Sequence, residues 1–367
     1  MIYSFYSKPK INMTDTEQQV KNKLATHQGI IITKKVGNTF VPPENDKFQK
    51  KLPLIFVSDC NEQFIVDSTQ MNNIGMVQEL VREVNRCYDD FEIPKHSGGY
   101  RTIEAPMPKL KALQRNTANI ITRTLKYLPS NNAHGFVKNR NCMTALKIHQ
   151  DNGSRYFLKL DIHDFFGSIT CKTLKNAMYN HASFLMVSAK VVDFVVIIAT
   201  RNDKLPQGSP LSPVLANLVL HQFDFDLNNF LKNLNKDFVY TRYADDLLIS
   251  SKSDFKADEY RIIQYIKQQL EKVGCRLSET KTRYGSCAGR NWNLGIMYNK
   301  DGNLTIGYRK KKYFKNMLHN FETGKIPQEK YYDALQTLTG QIVYAAYIEP
   351  EYMKPYLDRV RALSVTI

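Results

Sequence analysis

The sharpest pattern of apolar and polar positions lies at residues 238–250, where a β-rich run leads into Tyr-Ala-Asp-Asp at residues 243–246. An apolar run, Leu-Leu-Ile, follows at residues 247–249. This pattern predicts a tight hairpin with two adjacent carboxylates, Asp245 and Asp246, at its tip. Burying both carboxylates without a counter-charge is energetically unfavourable. The pair is therefore either a turn that uses aspartate for its backbone preferences or part of a divalent-cation site, because hard cations prefer oxygen ligands.

Further elements are predicted on the N-terminal side of this hairpin. A strand at residues 156–161 ends at Asp161, and two aromatic residues follow shortly after it. A turn at residues 97–103 leads into another strand, and a long helix begins near residue 108. A rigid, proline-rich turn at residues 205–213 precedes a helix that runs to about residue 231. The long helix carries an apolar stripe formed by Leu110, Leu113, Ile120, Ile121 and Leu125.

On the C-terminal side, the pattern predicts a helix at residues 256–273 and a short strand at residues 274–278. Strands at residues 293–298 and 304–308 are joined through Asp301 and Gly302, and Asp-Gly is the strongest short signal for a hairpin. Basic helical sequence starts at residue 309, and further helices follow.

Composition and charge narrow the class of protein. The 367 residues suffice for two or three compact units. The excess of 51 Lys and Arg over 35 Asp and Glu gives a net charge of +16, which suits a polyanionic partner. Because no basic amphipathic anchor is evident, nucleic acid is favoured over a membrane surface. The six cysteines form no C-x-x-C pair and indicate reduced thiols, so a cytoplasmic protein without membrane association is expected.

The order of the motifs resembles that of reverse transcriptases, and more narrowly of the bacterial retron-type group. The resemblance covers about residues 96–350, and a glycine-bearing hairpin follows the last of its motifs. It rests on Asp161, Gln207-Gly208, Asp245-Asp246 and Lys281 in that order. It implies an α+β right-hand polymerase fold in which helices back an antiparallel palm sheet. The implied layout is an N-terminal extension at 1–75, fingers at 76–155, palm at 156–300 with a fingers insertion around 172–205, and the end of the primer-grip hairpin with the thumb at 301–367.

The resemblance implies nucleotidyl transfer with two Mg²⁺ ions, or Mn²⁺ in their place, that clamp the attacking and leaving oxygens. Asp161 and Asp245 are the implied bridging ligands, supported by Asp246 and the carbonyl of Ile162. Antiparallel pairing can bring an aspartate at a strand end close to one in a neighbouring hairpin. Lys281 matches the lysine placed near the leaving pyrophosphate and is a candidate general acid, with an ordinary surface lysine as the alternative.

The resemblance also implies residues that bind the deoxynucleoside triphosphate (dNTP). Phe166 stands at the position of the steric gate, where a ring would collide with a 2′-hydroxyl, while Phe165 fits a core role because alternate strand residues face opposite ways. Gln207 and Gly208 match the turn beside the incoming nucleotide and the template base, where glycine permits close backbone approach. Arg101 and Lys109 lie in the fingers stretch and are either phosphate contacts or solvated cations.

A nucleic-acid interface is implied in the C-terminal part. Leu294 and Gly295 occupy the place of the primer grip, and the helix after them opens the thumb. Cations beside Tyr308 and Tyr313 suit a nucleic-acid backbone. These cations are Arg309, Lys310, Lys311, Lys312 and Lys315.

Two retron elements are imperfect in this chain. The Asn-Ala-x-x-His element is represented by residues 144–149, with Thr144 for the asparagine and one extra residue before His149. The Val-Thr-Gly element is represented by Asn-Leu-Gly at residues 293–295. The resulting hypothesis is a polymerase that copies a dedicated non-coding RNA into DNA from dNTPs, in antiphage defence with a separate effector protein. The alternatives are an abortive-infection-like polymerase that is protein-primed or template-independent, and an RNA-binding scaffold with a vestigial site.

Overall fold

A computed structural model describes residues 34–36, 39–41, 79–95, 98–124, 129–181, 189–234, 237–288 and 291–365. The predicted N-terminal extension lies outside these residues, except for two short strands that pair in an antiparallel hairpin. The strands are β1 (Lys34–Val36), β2 (Thr39–Val41), β3 (Tyr88–Pro94), β4 (Tyr100–Pro106), β5 (Tyr156–His163), β6 (Val239–Tyr243), β7 (Asp246–Ser251), β8 (Arg276–Leu277), β9 (Arg283–Ser286), β10 (Asn291–Asn293), β11 (Ile296–Tyr298) and β12 (Leu304–Thr305).

Ten described α-helices follow in chain order, four of them in succession between β5 and β6 and three after β12. They are α1 (Pro108–Thr124), α2 (Cys142–Asp151), α3 (Cys171–Asn180), α4 (Ala189–Ala199), α5 (Ser212–Val219), α6 (His221–Asn233), α7 (Glu259–Glu271), α8 (Tyr308–Glu322), α9 (Gln328–Ile348) and α10 (Pro350–Val365). All strand pairs are antiparallel, so the predicted α+β class with an antiparallel sheet is confirmed. None of the described helices is both long enough and apolar enough to cross a membrane.

The chain divides into two compact units. The first unit takes its residues from Met1–Asn131, Ile162–Phe225 and Ile266–Leu277. The second unit takes its residues from Asn132–Asp161, Asp226–Tyr265 and Ser278–Ile367. The boundary therefore falls inside β5, directly after Asp161. The predicted division into fingers, palm and thumb stays a prediction.

The second unit is built on the sheet order β6-β7-β5, with β9 also paired to β5. On one face of these strands, Leu158 and Leu160 of β5 pair with Ile249 and Leu247 of β7, and all four are fully buried. On the face that carries the aspartates, Phe157 and Leu248 are also buried. The small sheet β10-β11-β12 and helices α8, α9 and α10 contribute to one apolar cluster with residues of β5 and β7. This cluster fixes the C-terminal helices against the strands that carry the aspartates.

The first unit contains the long hairpin β3-β4, helix α1 and the helices α3, α4 and α5. The predicted stripe of α1 is confirmed at Leu110, Leu113 and Ile121, which are fully buried, while Ile120 is half-buried and Leu125 lies outside the described residues. The last two residues of β5 pair with β8 in this unit.

Three local predictions are wrong. The helix expected to run to about residue 231 is two helices that meet at Leu220, whose ψ of 3° departs from helical geometry without any Gly or Pro. The strand expected at residues 293–298 is two strands, β10 and β11, separated by a turn at Leu294 and Gly295. Tyr308 begins helix α8 instead of ending a strand, since Gly307 with φ 78° stops the extended backbone before it.

Candidate active site

The predicted hairpin is present in the second unit and is closed by a two-residue turn. Tyr243 of β6 is the cross-strand partner of Asp246 of β7, and Ala244 and Asp245 form the turn between them. Ala244 adopts φ 57°, which is uncommon for a residue with a side chain. The turn therefore requires support from neighbouring backbone.

That support comes from the loop at residues 132–135. The amide of Arg242 donates to the carbonyl of Asn132, and the amide of His134 donates to the carbonyl of Arg242, both at 2.7 Å. Gly135 lies so close to the turn that a Cβ atom there would clash with the backbone nitrogen of Ala244. A side chain at residue 135 is thus incompatible with this hairpin position.

The strand register brings the two acidic motifs together. Asp161 of β5 lies directly opposite Asp246 of β7, so the two side chains project from the same face of the sheet. Lys281 Nζ donates to both carboxylate oxygens of Asp161, at 2.8 and 2.9 Å. Lys159, two residues before Asp161 in β5, lies on the same face and places its Nζ 3.3 Å from Asp246 Oδ1.

The third carboxylate, Asp245, is electrostatically different. Burial raises the pKa of Asp245, and the charges of Asp246 and Asp161 raise it further, while its backbone hydrogen bond and Lys281 oppose the shift. The hydrogen bond to Asp161 holds the pKa of Lys281 above its usual value. Ionised Asp245 is therefore destabilised in this arrangement and would be stabilised by additional positive charge.

The donor set is chemically suited to a divalent metal ion. All three side chains offer carboxylate oxygens, which Mg²⁺ prefers. In this conformation no group of three His, Cys, Asp or Glu side chains in the described part of the chain is gathered closely enough to hold a metal ion. Asp161 instead gives both oxygens to Lys281, whose ammonium neutralises it. The oxygen donors of these residues fit a divalent metal ion, for which Lys281 is a competitor at Asp161 in this conformation. Ile162, whose carbonyl is a predicted ligand, pairs with Leu277 through β5 and β8.

The phenylalanines after Asp161 are not in a strand, so the alternation argument for them is wrong. Strand β5 ends at His163, and both rings lie in the turn after Asp164, which has φ 44°. They nevertheless differ in exposure: Phe165 is buried and Phe166 is half-buried, with ring centroids 5.0 Å apart. The turn, and not strand pleating, produces this difference.

In the first unit, the Gln207-Gly208 turn packs on strand β4. The amide of Glu104 donates to the carbonyl of Gln207 at 2.8 Å. Gly208 has φ 141°, and a Cβ atom there would lie 2.6 Å from the carbonyl oxygen of Glu104. Glycine is therefore required at residue 208 by both conformation and space. Arg101 on β4 and Lys109 in the first turn of α1 are both solvent-exposed.

In the second unit, Leu294 lines a shallow groove next to the sheet. Leu294 and Gly295 form the turn between β10 and β11, with φ 52° and 78°. The groove brings the predicted primer-grip turn beside the lysine that neutralises Asp246. Its other lining residues are Lys159, Thr241, Tyr243, Asp246, Leu247, Leu248 and Asn293.

The basic start of α8 divides into two sets. Lys311 is directed inward, where its Nζ lies 2.6 Å from Glu349 Oε1 and 4.0 Å from the ring centre of Tyr352. The helical period explains this, because residue 311 shares a face with the buried Phe314 and Leu318. The other four predicted cations are solvent-exposed: Arg309, Lys310, Lys312 and Lys315.

The comparison with known families decides the class of enzyme. Residues 93–319 match the family model described as reverse transcriptase (RNA-dependent DNA polymerase). The chain belongs to this family. The predicted enzyme class, an RNA-directed DNA polymerase, and the polymerase fold are thereby confirmed. Members of the family generally use divalent metal ions.

Relatives of this reverse transcriptase include retron enzymes. Retron Ec83 reverse transcriptase of Escherichia coli is 29% identical over 280 residues, which cover 73% of this chain and 85% of that protein. Retron Mx65 reverse transcriptase of Myxococcus xanthus is 30% identical over 288 residues, which cover 74% of this chain and 63% of that protein. The predicted retron-type resemblance is confirmed by these matches. A Candida tropicalis telomerase structure with a fragment of telomeric RNA aligns with 79% of this chain and 56% of its own, at 12% identity and a TM-score of 0.46.

Two residues that contact the aspartate hairpin, Lys159 and Gly135, were not predicted from the sequence. Lys159 could have been found, because strand alternation places it on the same face as Asp161. Gly135 could not, because its role depends on a contact with Ala244, more than a hundred residues away in the chain.

Proposed function

We propose that this reverse transcriptase is of retron type and copies a dedicated, structured non-coding RNA into DNA from dNTPs, using two divalent metal ions. The observation that carries the proposal is the pairing of Asp161 with Asp246 across β5 and β7, with Asp245 at the adjacent turn. The retron relatives support the RNA-specific part of the proposal.

Asp161, Asp245 and Asp246 would hold the metal ions, with the Ile162 carbonyl as an additional predicted ligand. When bound, divalent ions activate the primer hydroxyl and neutralise the triphosphate charge. Lys281, which donates to both oxygens of Asp161, would compete with a metal ion for this carboxylate. The Lys281 side chain is 62% exposed, so it is able to move. Because the bond to Asp161 raises the pKa of Lys281, its release makes the ammonium a stronger acid towards the leaving pyrophosphate.

The remaining predicted residues are assigned to substrate recognition. Phe166 would discriminate against ribonucleotides, and Gln207 and Gly208 would contact the nucleotide and the template base. The triphosphate or the template backbone would be bound by Arg101 and Lys109. The primer strand and the nucleic-acid backbone would be bound by Leu294, Gly295, Arg309, Lys310, Lys312 and Lys315. Lys311 is excluded from this set because Glu349 already binds it. The role in antiphage defence and the separate effector protein remain predictions.

The proposal is tested by sequencing the nucleic acid that co-purifies with the protein and with its Asp245→Asn variant. We expect one RNA species in both preparations, and a DNA copy of part of that RNA only with the wild type. Isolation of DNA bonded to a Tyr or Ser of the protein, formed without RNA, would establish the protein-primed alternative. RNA without DNA in both preparations, under conditions with dNTPs and Mg²⁺, would favour the scaffold alternative.

A further inference from the structure

A buried amide in the first unit anchors the segment that carries Gln207 and Gly208. Ser209, the next residue, donates its hydroxyl hydrogen to Gln114 Oε1 at 2.9 Å and accepts from the amide of Leu211 at 3.1 Å. Gln114 lies in α1 and is fully buried, and Ser209 is 4% exposed. The Gln114 side chain therefore attaches the turn to the interior of the unit, next to a second buried contact in which Ser212 Oγ donates to the carbonyl of Pro206 at 2.8 Å.

The orientation of the Gln114 amide is fixed by its other two contacts. Its Nε2 donates to the hydroxyl oxygen of Tyr88 at 2.9 Å and to the carbonyl oxygen of Ile198 at 2.7 Å. Since a carbonyl oxygen only accepts, the nitrogen must face Ile198, and the oxygen must then face Ser209. A glutamate at residue 114 would place an oxygen against the Ile198 carbonyl, and an apolar residue would leave buried polar groups unpaired.

Arg201 supports the same turn through Glu104, a residue of strand β4. Asp90 and Glu104 are cross-strand partners in the β3-β4 hairpin, a pairing that repels when both are charged. Arg201 binds both carboxylates, with Nη1 at 3.0 Å from Glu104 Oε1, and its guanidinium lies 5.0 Å from the ring centre of Tyr88. The Glu104 backbone in turn holds the Gln207 carbonyl.

Tyr88 therefore contacts two series of interacting residues that both end at the Gln207-Gly208 turn. One series is Gln114 and Ser209, and the other is Arg201 and Glu104. We infer that Gln114 and Arg201 are positioning residues for nucleotide selection in this reverse transcriptase, because they set the shape of this turn. The inference rests on the proposed role of Gln207 and Gly208 in contacting the incoming nucleotide.

The experiment measures KM and kcat for one correct and one mismatched dNTP on a fixed primer and template. We expect Ser209→Ala and Gln114→Leu to raise KM for the correct dNTP about tenfold, less than the about hundredfold loss that a one-ångström misplacement can cause. We expect kcat to stay within about twofold and misincorporation to rise, because the turn orients the nucleotide without taking part in bond formation. Arg201→Met should give the same pattern, and Arg201→Lys should restore part of it, since one cation can still neutralise the two carboxylates.

Thr117→Val is the matched control. Thr117 is buried in the same helix, but its hydroxyl donates only to the carbonyl of Leu113 in that helix. We expect it to lower the melting temperature without changing KM. Ser209→Ala and Arg201→Lys remove the least volume and keep the test decisive if the larger changes do not fold.

Two outcomes separate the inference from the proposed function. If Gln207→Ala changes KM and misincorporation but Ser209→Ala, Gln114→Leu and Arg201→Met do not, the positioning inference is wrong while the role of the turn stands. If Gln207→Ala itself leaves both unchanged, the proposed role of the turn fails. An equal KM change in Thr117→Val would reduce the effect to general destabilisation and also overturn the inference.

Discussion

Two turns in this reverse transcriptase lie at residues 244–245 in the second unit and at residues 207–208 in the first. Both depend on a glycine, but they differ in the groups that hold them. Each is fixed by a glycine that fits against backbone: Gly135 packs on the first turn, and Gly208 itself packs on β4. The aspartate turn lies among charges that are neutralised by partly exposed lysines, Lys159 and Lys281. The other turn is anchored by a hydrogen bond that Ser209 donates to the buried, neutral amide of Gln114, and through Glu104 by Arg201, whose side chain is only 14% exposed.

This difference matches the demands on the two turns. A group that exchanges its counter-charge during a reaction needs partners that can leave, and an exposed lysine can leave at little expense of free energy. A turn that must keep its shape needs partners that cannot leave, and a buried, fully satisfied amide meets that need. We therefore expect substitutions at the first turn to change metal binding and rate, and substitutions around the second to change selectivity.

Among the substitutions that test this comparison, Gly135→Ala is expected to have the largest effect. Its Cβ would clash with the backbone nitrogen of Ala244, so either the aspartate hairpin shifts or the second unit is destabilised by about 1–3 kcal/mol, as in other overpacked sites. We expect nucleotide incorporation to fall about a hundredfold if the hairpin shifts by about an ångström. The measurements are incorporation rate and urea unfolding.

The matched control is Gly285→Ala. Gly285 lies in β9 of the same unit, and among the described residues no atom lies within 4 Å of a Cβ there. Activity and stability should stay near those of the wild type. If the two alanine variants have similar activity and stability, the close approach of Gly135 to the hairpin affects neither property.

A smaller, selective effect is expected from Phe166→Ala. Removal of a half-buried ring should increase incorporation of ribonucleotides relative to deoxynucleotides about ten- to a hundredfold, because one shape contact contributes discrimination of that size. The rate with dNTPs should change little. Phe165→Leu is the control, since Phe165 is buried and should affect stability alone. If Phe166→Ala discriminates between ribonucleotides and deoxynucleotides as well as the wild type does, the ring of Phe166 serves only in packing.

The smallest expected effect is on the stability of the protein at acidic pH, and it arises from two buried histidines, His149 and His134. The ring nitrogens of His149 lie 2.6 Å from Ser250 Oγ and 2.8 Å from Thr241 Oγ1, on the hairpin strands. Burial, with a contribution from the charge of His134, lowers the pKa of His149 to about 3. Burial, with a contribution from Arg140, lowers the pKa of His134 to about 4.

Both histidines bind protons more tightly in the unfolded chain, where their ordinary pKa is about 6.5. The stability they contribute is complete above pH 6.5 and is lost as the pH falls towards 4, by about 1.4 kcal/mol per pH unit for each histidine. His149→Gln should therefore flatten the dependence of the unfolding free energy on pH between 6 and 4. An unchanged slope would contradict the buried, neutral state of His149.

The chemistry-bearing residues were predictable from the sequence because their types and order are distinctive. Asp161, Asp246 and Lys281 lie together in the structure, since strand register follows from the alternation of apolar residues. The inward direction of Lys311 was missed because its partner Glu349 is far along the chain, although the helical period already placed residue 311 on the buried face. The anchoring of the 207–208 turn was not predictable, because Gln114 has no distinctive neighbours and acts through contacts about ninety residues away.

The most direct test of the metal-binding carboxylates is a titration of Mn²⁺ into the protein without nucleotide, followed by the electron paramagnetic resonance signal of free Mn²⁺. We expect the wild type to bind Mn²⁺, Asp245→Asn to bind it at least about tenfold more weakly, and Lys281→Gln to bind it more tightly than the wild type because a competitor for Asp161 is removed. Equal Mn²⁺ affinity of the wild type and Asp245→Asn would contradict the assignment of the hairpin as the metal site.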